Sequence, residues 1–411
     1  MKIRRLTNEE RPTLSWPIQG YAFERSPMSA TELEKYQEHL PYHEGNVTLV
    51  AEDDGGTRAV VSALPMRQNV RGGVFAMLGI TGVATQPLAR RQGHVRALVT
   101  RMLGDMRDEG YAVTALYPFR PSFYARFGYV GLPRPRTVRF SPADLGELLR
   151  ADLPGELRWQ RIREGYDDYR AFTERLLTSR HGFSLLPDHR AVQLRDRDDR
   201  WLVTAVADGE VVGALTYTID GHGGTLLGED MLTANPLGRA LLLQFLARHV
   251  DQVDRISVVV PADESPELWA TDLAIQSETR VVFPTLGAPM ARVLSVEALR
   301  GISVGPGRVR IEVVDDPYVA GAYLLDGGSD LGAGAGAGAG AGRLDVTPGA
   351  GGAAASVPTA TLTAAGISAL VYGVLDPDEL PLRGFGDVPA PAAAQLRSLF
   401  PRTMPYIFAD F

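Results

Sequence analysis

The chain has 411 residues, is 45% hydrophobic and 22% charged, and carries a formal net charge of -7. This length is enough for two to four domains with sizeable cores, and the composition is typical of a globular protein. The negative charge excludes a global basic field for nucleic acid. The lack of cysteine excludes disulfides, thiolate metal sites and a cysteine nucleophile.

The first six residues are partly basic, but no apolar segment follows them, so they do not match a secretion signal. No uninterrupted apolar run approaches the length that crosses a membrane. We therefore expect a cytoplasmic protein without a membrane or nucleic-acid partner.

Residues 1–135 alternate between strand and helix patterns, which predicts an α/β domain with a mixed sheet. A helix is predicted from Ser29 or Thr31 to His39, where Pro41 ends it, and a second to about Glu109. Strands are predicted at 3–6, 46–51, 59–64, 74–83 and 112–117.

The segment 79–97 contains the clearest chemical signal. An apolar strand is broken at Thr85-Gln86-Pro87, and a basic turn with Arg90, Arg91 and Gly93 then opens a helix. Free N–H groups and the helix dipole favour an anion there, glycine allows close approach, and arginine adds forked donors. The pattern therefore predicts a pyrophosphate site. The alternative is an ordinary strand–turn–helix with a solvated basic turn.

The turn lacks both the phosphate loop of nucleoside triphosphatases and the three spaced glycines of a dinucleotide fold. It resembles the acyl-coenzyme A motif [Q/R]-x-x-G-x-[G/A] of the GNAT acetyltransferases. Arg90 is its first residue and Gly93 its central glycine, whereas Val95 replaces the small residue expected at the end.

Residues 136–290 repeat the order of elements in the first part. A hairpin is predicted from 201–206 and 211–217, followed by a helix at 236–250 and a strand at 256–260. The turn at 233–239 has neither the arginine pair nor the glycine spacing. This predicts a second acetyltransferase-like domain without a coenzyme site.

Residues 291–411 differ in character. Strands are predicted at 309–317, 322–325 and 359–362, and a small-residue helix at 363–373. The alternating Gly-Ala repeat at 332–342 predicts a flexible surface loop.

Two further segments extend the resemblance to the whole chain: Phe123-Tyr-Ala-Arg-Phe-Gly-Tyr129 and the ending Met404-Pro-Tyr-Ile-Phe-Ala-Asp-Phe411. With the coenzyme motif, they are similar to the Eis-type ("enhanced intracellular survival") acetyltransferases. The resemblance implies a catalytic GNAT domain at 1–135, a GNAT-like domain without coenzyme at 136–290, and a sterol-carrier-protein-like domain at 291–411. It also implies acetyl-CoA as co-substrate and a homohexamer.

The resemblance also assigns site residues. It implies that Tyr124 is the general acid and that the C-terminal carboxylate of Phe411 is the general base. Its coenzyme contacts fall on Val83, Ala84, Thr85, Arg90, Arg91, Gln92, Gly93, His94, Val95, Arg96, Phe119 and Arg120.

The residue types suit these roles. A phenol is protonated at neutral pH and can donate to a leaving thiolate, although a tyrosine among aromatic residues is also a common packing residue. The aromatic ending of the chain favours docking over fraying, so we expect it to thread into the first domain near Tyr124. Asp410 and the Phe411 carboxylate would attract a cationic amine. Phe23 and Glu24 are candidates for the pocket wall, and a surface carboxylate is the alternative for Glu24.

We therefore expect an N-acetyltransferase that acts on a small-molecule amine by direct attack in a ternary complex. The resemblance implies aminoglycoside or polyamine-like acceptors. The alternatives are a non-catalytic ligand-binding or interaction protein and a protein-lysine acetyltransferase. We expect no metal, because Pro41 breaks the helix that would align His39 with His43.

Overall fold

A computed structural model describes residues 1–27, 29–280, 287–328, 342–349 and 357–411. The Gly-Ala repeat lies outside the described residues, except for Gly342, which begins a short strand. None of the described helices is long and apolar enough to span a bilayer.

The described helices and strands are numbered in chain order. The helices α1 to α11 are Arg11–Leu14, Trp16–Phe23, Ala30–His39, His94–Asp108, Pro121–Ala125, Ile162–Ser179, Asp188–Arg195, Pro236–Ala247, Ala364–Val371, Glu379–Leu382 and Ala390–Leu399. The strands β1 to β23 are Lys2–Arg5, Val47–Asp53, Gly56–Val70, Gly73–Thr85, Val113–Leu116, Val130–Gly131, Arg136–Phe140, Glu156–Arg161, Ser184–Leu185, Trp201–Ala207, Glu210–Ile219, Thr225–Asp230, Leu232–Thr233, Arg255–Val260, Gln276–Thr279, Met290–Val293, Ser303–Val304, Arg308–Val314, Gly321–Asp326, Gly342–Arg343, Asp345–Pro348, Thr359–Thr363 and Gly386–Asp387.

The mixed α/β class is confirmed, and most predicted elements lie within a few residues of the observed ones. Examples are the hairpin of β2 and β3, helix α4, and the hairpin of β10 and β11. Two short helices, α1 and α2, were not predicted, because they have no apolar periodicity and each has proline in its first turn.

The chain divides into two compact units. The first consists of Met1–Leu132, His181–Arg190 and the described part of Thr285–Phe411; the second consists of Pro133–Arg180 and Ala191–Pro284. The three-domain division at 135 and 290 stays a prediction. The C-terminal part belongs to the same compact unit as the N-terminal part.

The first unit contains a sheet with the strand order β1-β2-β3-β4-β5-β16-β6, and β9 also pairs with β3. Strand β4 is parallel to β5, whereas its pairing with β3 is antiparallel. The buried face of α4 packs on this sheet through Leu98, Val99, Met102 and Leu103, at the helical spacing that the sequence shows.

Strand β16, formed by Met290–Val293, pairs with both β5 and β6. The sequence does not predict this insertion, because the local pattern of a buried strand does not specify its neighbours. The first unit also holds a five-stranded sheet of order β21-β19-β18-β22-β23 and the pair β17-β20.

The second unit contains its own sheet, of order β15-β7-β14-β12-β11-β10-β8, with β13 paired to β11. Its core includes the leucines of α8 at 241, 242, 243 and 246, which lie in the helix that the sequence predicts.

Candidate functional site

Strand β4 continues beyond the end of its neighbour β5. The parallel pairing ends at Ile80 opposite Leu116, whereas β4 runs on to Thr85. The register with β3 shifts between Val60 and Ser62, and Gly82 has a φ of 57°, so the strand bulges there. Ala84 and Thr85 pair with β3 on one side, and residues 83–85 have no β5 partner on the other. An extended ligand can bind that backbone edge as an additional strand.

The turn before α4 exposes the helix N-terminus. Gly93 is the N-cap, with a φ of 86° and no side-chain cap hydrogen bond. The first bond within the helix runs from the Ala97 N–H to the Gly93 carbonyl at 3.0 Å. The N–H groups of the first turn therefore have no helical acceptor, which is the arrangement that binds anions.

Arginines surround this helix end. Arg90, Arg91 and Arg96 are exposed, and within the described parts of the chain none of them forms an ion pair or a side-chain hydrogen bond. Arg91 also has a φ of 63°, a conformation that costs free energy in a non-glycine residue. Three cationic side chains without carboxylate partners make the turn a strong anion site.

Two of the predicted contacts in this turn are oriented inward. The His94 ring is buried, and its Nε2 lies 3.3 Å from Gln92 Oε1. Val95 is half-buried and packs against the core under α4. Both residues can therefore offer their backbone N–H groups to an anion, while their side chains hold the turn in place.

Helix α5 carries the predicted acid within an aromatic cluster. Tyr124 is 2% exposed, and its ring lies 5.5 Å from Phe119, 5.1 Å from Phe123 and 6.2 Å from Tyr129. Burial raises the pKa of Tyr124 well above its ordinary value, with a smaller contribution from Tyr129. Its hydroxyl finds no hydrogen-bond partner among the described residues. Tyr124 therefore keeps its proton and has it free to donate.

The two residues just before the same helix are predicted coenzyme contacts. Phe119 is 49% exposed, and Arg120 is the exposed N-cap of α5. They lie just after β5, where β4 and β5 stop pairing.

The end of the chain lies on this sheet. The Phe411 ring makes an edge contact with Tyr117 at 5.4 Å between ring centroids, and the Tyr117 hydroxyl donates to Asp410 Oδ1 at 3.1 Å. A Cβ added at Gly79 would overlap the Phe411 ring, so glycine on β4 provides the space for that ring. Phe411 thus lies beside β4 and the end of β5, and α5 with Tyr124 follows β5 directly along the chain.

The last residues of the chain, 401–411, are called the tail below. They are held in place by a set of residues that the sequence does not single out. The Arg71 guanidinium is buried and donates to the carbonyls of Val371 at 2.7 Å, Leu370 at 3.1 Å and Pro401 at 2.8 Å. Burial lowers the pKa of Arg71 to about 10, so it stays charged at neutral pH. It ties the start of the tail to α9.

The second part of this clamp is the segment that begins at His181. The His181 carbonyl accepts a hydrogen bond from the Tyr406 N–H at 3.0 Å, and the Phe183 ring stacks on Phe408 at 4.7 Å. A Cβ at Gly182 would lie 2.6 Å from Pro405 Cβ. We call Arg71, His181, Gly182 and Phe183 the tail clamp. Its members are distant in sequence, so no motif could have revealed it.

A cavity of about 150 Å³ opens beside the β4 bulge. Phe23 and Gln19 of α2 line it together with Thr81 and Gly82 of β4. Glu24 follows α2, is exposed and does not line this cavity. The structure thus places Phe23 at the wall of a cavity and Glu24 at the surface, and their assignment to the acceptor pocket stays a prediction.

Helix α8 of the second unit begins differently from α4. The side chain of its N-cap, Asn235, accepts from the Gly238 N–H at 2.8 Å, and Pro236 has no N–H to offer. Arg239 is paired with Glu264 at 3.1 Å. The Gly238 N–H group and the Arg239 side chain are thus used within the protein, whereas Gly93 gives α4 no side-chain cap. The lack of a coenzyme site in this domain stays a prediction.

Comparisons with known proteins agree with this geometry. Two models described as acetyltransferase (GNAT) domains match residues 2–131 and 185–293. An uncharacterized N-acetyltransferase of Streptomyces coelicolor is 28% identical over 276 residues, which is 61% of this chain and 65% of that protein. Another from Streptomyces avermitilis is 28% identical over 203 residues, covering 45% of this chain and 49% of its own length. The chain thus matches less than two thirds of each relative.

Solved structures match over the whole length. A GCN5-related N-acetyltransferase from Anabaena variabilis has a TM-score of 0.77 at 18% identity, with 100% of both chains covered. Eis1 from Mycobacterium abscessus has a TM-score of 0.74 at 20% identity, also with 100% of both chains covered. The chain therefore belongs to the GNAT N-acetyltransferases, with two tandem GNAT domains and the fold of an Eis-type member.

Proposed function

We propose that the protein transfers the acetyl group of acetyl-CoA to a small-molecule amine by direct attack in a ternary complex. The observation that carries this proposal is the uncapped N-terminus of α4, with three unpaired arginines, next to the unpaired backbone edge of β4. Acetyl-CoA is the co-substrate of the GNAT family, and its phosphates and extended pantetheine match these two features.

In this proposal the coenzyme contacts divide by chemistry. The backbone of Val83, Ala84 and Thr85 binds the pantetheine. The turn and first helical residues, 90–96, bind the pyrophosphate through N–H groups and guanidinium groups. Exposed Phe119 and Arg120 cover the coenzyme from the α5 side. Binding far from the reacting carbon fixes the thioester for attack.

Two proton transfers accompany the reaction. As the amine nitrogen forms a bond to the acetyl carbon, the C–S bond breaks, and Tyr124 donates its phenolic proton to the departing sulfur. The α-carboxylate of Phe411 accepts the proton that the amine loses, directly or through water. The burial that raises the pKa of Tyr124 keeps it protonated until the thiolate leaves.

The acceptors implied by the Eis resemblance are aminoglycosides or polyamine-like amines. The negative charges of Asp410 and of the Phe411 terminus would attract a cationic acceptor to the end of the chain. Phe23 lines the adjoining cavity, whereas Glu24 does not line it.

We further propose the remaining family properties for this chain. The five-stranded sheet, with α9 and α11 packed against its strands, supports a sterol-carrier-protein-like domain in 291–411. A homohexamer in the cytoplasm is the expected state, and light scattering measures the number of subunits.

A thiol-release assay tests the proposed transfer. The full chain with acetyl-CoA is given aminoglycosides, polyamines and lysine peptides in turn. Acceptor-dependent release of coenzyme A with a mass increase of the acceptor supports the proposal. Release with lysine peptides alone would identify a protein-lysine acetyltransferase. Binding of acetyl-CoA without release across the panel would instead identify a ligand-binding protein on this scaffold.

The arginine turn gives a first prediction. The double variant Arg90→Gln/Arg91→Gln should raise the KM for acetyl-CoA by at least about tenfold to a hundredfold, which is the effect of losing one charge-assisted hydrogen bond of roughly 1.5–3 kcal/mol. The kcat should change little. The control is Arg101→Gln, because Arg101 lies on the same helix but is paired with Asp105 at 2.6 Å. Equal KM values for the two variants would contradict the coenzyme assignment.

The contact at Gly79 gives a second prediction. Gly79→Ala should lower kcat by at least about tenfold, because the new methyl group displaces the Phe411 ring, and small misplacements cost up to about a hundredfold. The KM for acetyl-CoA should stay the same. Gly131→Ala is the control, since its Cβ would meet only Ala288, at 4.0 Å. An unchanged kcat for Gly79→Ala would show that the position of the Phe411 ring does not affect the reaction.

A further inference from the structure

The cavity beside the β4 bulge lies on the same face of the sheet as Phe411. Thr81 lines the cavity, and Gly79, two residues earlier on β4, faces the Phe411 ring. Alternate residues of a strand face the same side, and two residues span about 7 Å. The pairing is regular from Gly73 to Thr81, so this alternation holds. A ligand in the cavity would therefore reach the tail with a linker of a few bonds.

The cavity wall offers neutral hydrogen-bonding groups in fixed positions. Gln19 Nε2 donates to Ser62 Oγ at 3.1 Å and to the Gly82 carbonyl at 2.9 Å. Thr48 Oγ1 and Ser62 Oγ are 3.0 Å apart. Gln19 Oε1 makes no hydrogen bond within the described residues, so it can accept one from a ligand. This network suits hydroxyl or amide groups.

The charges of the residues that line the cavity disfavour an acceptor with an ammonium group there, in addition to its reacting amine. None of the described lining residues is Asp or Glu, and Arg11 contributes a positive charge. His43 also lines the cavity; burial, with Arg190 and Arg11 nearby, lowers its pKa to about 4, so it is neutral at neutral pH. A buried ammonium would lose its hydration without gaining a carboxylate partner.

The size and the aromatic walls favour a single ring. The volume of about 150 Å³ is close to that of an apolar cavity that holds one benzene molecule. Trp16 and Phe23 line the cavity, and aromatic side chains pack well against a flat ring.

We propose that this cavity selects the acceptor by taking one uncharged, hydroxylated ring that is joined to the reacting amine by a short linker. The inference rests on the proposed acetyl transfer, and it departs from the multiply charged acceptors that the Eis resemblance implies. The ring packs between Trp16 and Phe23, and its hydroxyl groups bond to Gln19 and Ser62. The amine then lies toward the tail. Monoamines on a neutral ring are the preferred acceptors, and linear polyamines are poor ones.

The test compares three amines with the full chain. The wild-type kcat/KM for tyramine or 6-amino-6-deoxyglucose, whose amines are joined to the ring through CH₂ groups, should exceed that for spermidine by at least about tenfold, the effect of one uncompensated interaction. The better of the two ring amines shows whether the ring is aromatic or a sugar. A preference for spermidine would overturn the proposal.

Two substitutions at the cavity and one beside it sharpen this comparison. Ser62→Val should lower kcat/KM for the ring amines by about tenfold and leave spermidine unchanged. Phe23→Glu places a carboxylate at the mouth and should raise kcat/KM for spermidine. Its control is Tyr21→Glu, on the same helix, because Tyr21 does not line the cavity. Phe23 is 57% exposed and Tyr21 45%, so both variants should fold. Equal effects of the two glutamates would contradict the proposal.

A binding measurement keeps the two proposals separate. Calorimetry with tyramine, in the absence of acetyl-CoA, reports on the cavity alone. Binding that Ser62→Val weakens, with no acetyl transfer to any amine, would support the cavity and overturn the transferase. Acetyl transfer to spermidine, together with no binding of tyramine, would support the transferase and overturn the cavity proposal. Failure of tyramine and 6-amino-6-deoxyglucose to bind overturns the cavity proposal outright.

Discussion

Tyr124→Phe should lower kcat by about a hundredfold to ten-thousandfold, the range by which a positioned general acid accelerates a reaction. The variant loses only the hydroxyl group, and the ring contacts with Phe119, Phe123 and Tyr129 can remain. The KM for acetyl-CoA should therefore hardly change. Steady-state thiol release, together with calorimetric binding of coenzyme A, measures both quantities.

The matched control for this variant is Tyr129→Phe. Tyr129 is equally buried, but its hydroxyl lies 3.3 Å from Thr114 Oγ1 and has a structural partner. We expect stability to fall slightly and kcat to stay within a few-fold of the wild type. If both variants lose the same activity, the aromatic cluster acts by packing and Tyr124 is not the acid.

The pH dependence of the wild type gives the same test without mutation. The raised pKa of Tyr124 keeps the phenol protonated beyond the range where an ordinary tyrosine ionises. The rate should therefore not fall as the pH approaches 10 through loss of this proton. A descending limb that disappears in Tyr124→Phe would assign an ordinary pKa to this group.

One alanine added after Phe411 should lower kcat by about a hundredfold or more, because it replaces the α-carboxylate with an amide that cannot accept a proton. Mass spectrometry of the intact protein first establishes that Phe411 carries the free terminus. Thiol release with a fixed amine then gives kcat for the two proteins. The Phe411 ring contact with Tyr117 is part of the same position, so circular dichroism and proteolysis check that the tail stays docked.

A second variant tests the charge of Asp410 separately from the position of the Phe411 carboxylate. Asp410→Asn keeps the oxygen that Tyr117 bonds, at 3.1 Å from its hydroxyl, and removes the charge. It should weaken binding of cationic amines and leave kcat nearly intact. Unchanged turnover of the extended chain would exclude the terminal carboxylate as the base.

The strand, turn and helix that form the proposed coenzyme site were largely predictable from sequence. The apolar run of β4, the basic turn and the apolar face of α4 are local patterns, and local patterns determine strand, turn and helix over short distances. Gly93 adopts a positive φ that glycine tolerates. What the sequence could not show was that Arg90, Arg91 and Arg96 have no carboxylate partners among the residues that the structure describes, since that depends on the fold.

The acceptor half was much less predictable. The tail clamp joins Arg71, the segment at His181–Phe183 and the tail, which are more than a hundred residues apart along the chain. The cavity depends on α1 and α2, whose prolines and irregular apolar pattern hide them from periodicity. Pairings of this kind arise from tertiary packing, and a single sequence contains no local signal for them.

The position of β16 has a consequence for how the protein is made. Met290–Val293 fills the place between β5 and β6, so the first sheet stays open until nearly 300 residues have left the ribosome. Until then β5, which pairs with β4 on one side, presents an unpaired edge, and such edges favour aggregation during synthesis. A chain truncated after residue 280 should therefore be insoluble, although it contains the whole stretch that matches the first GNAT model.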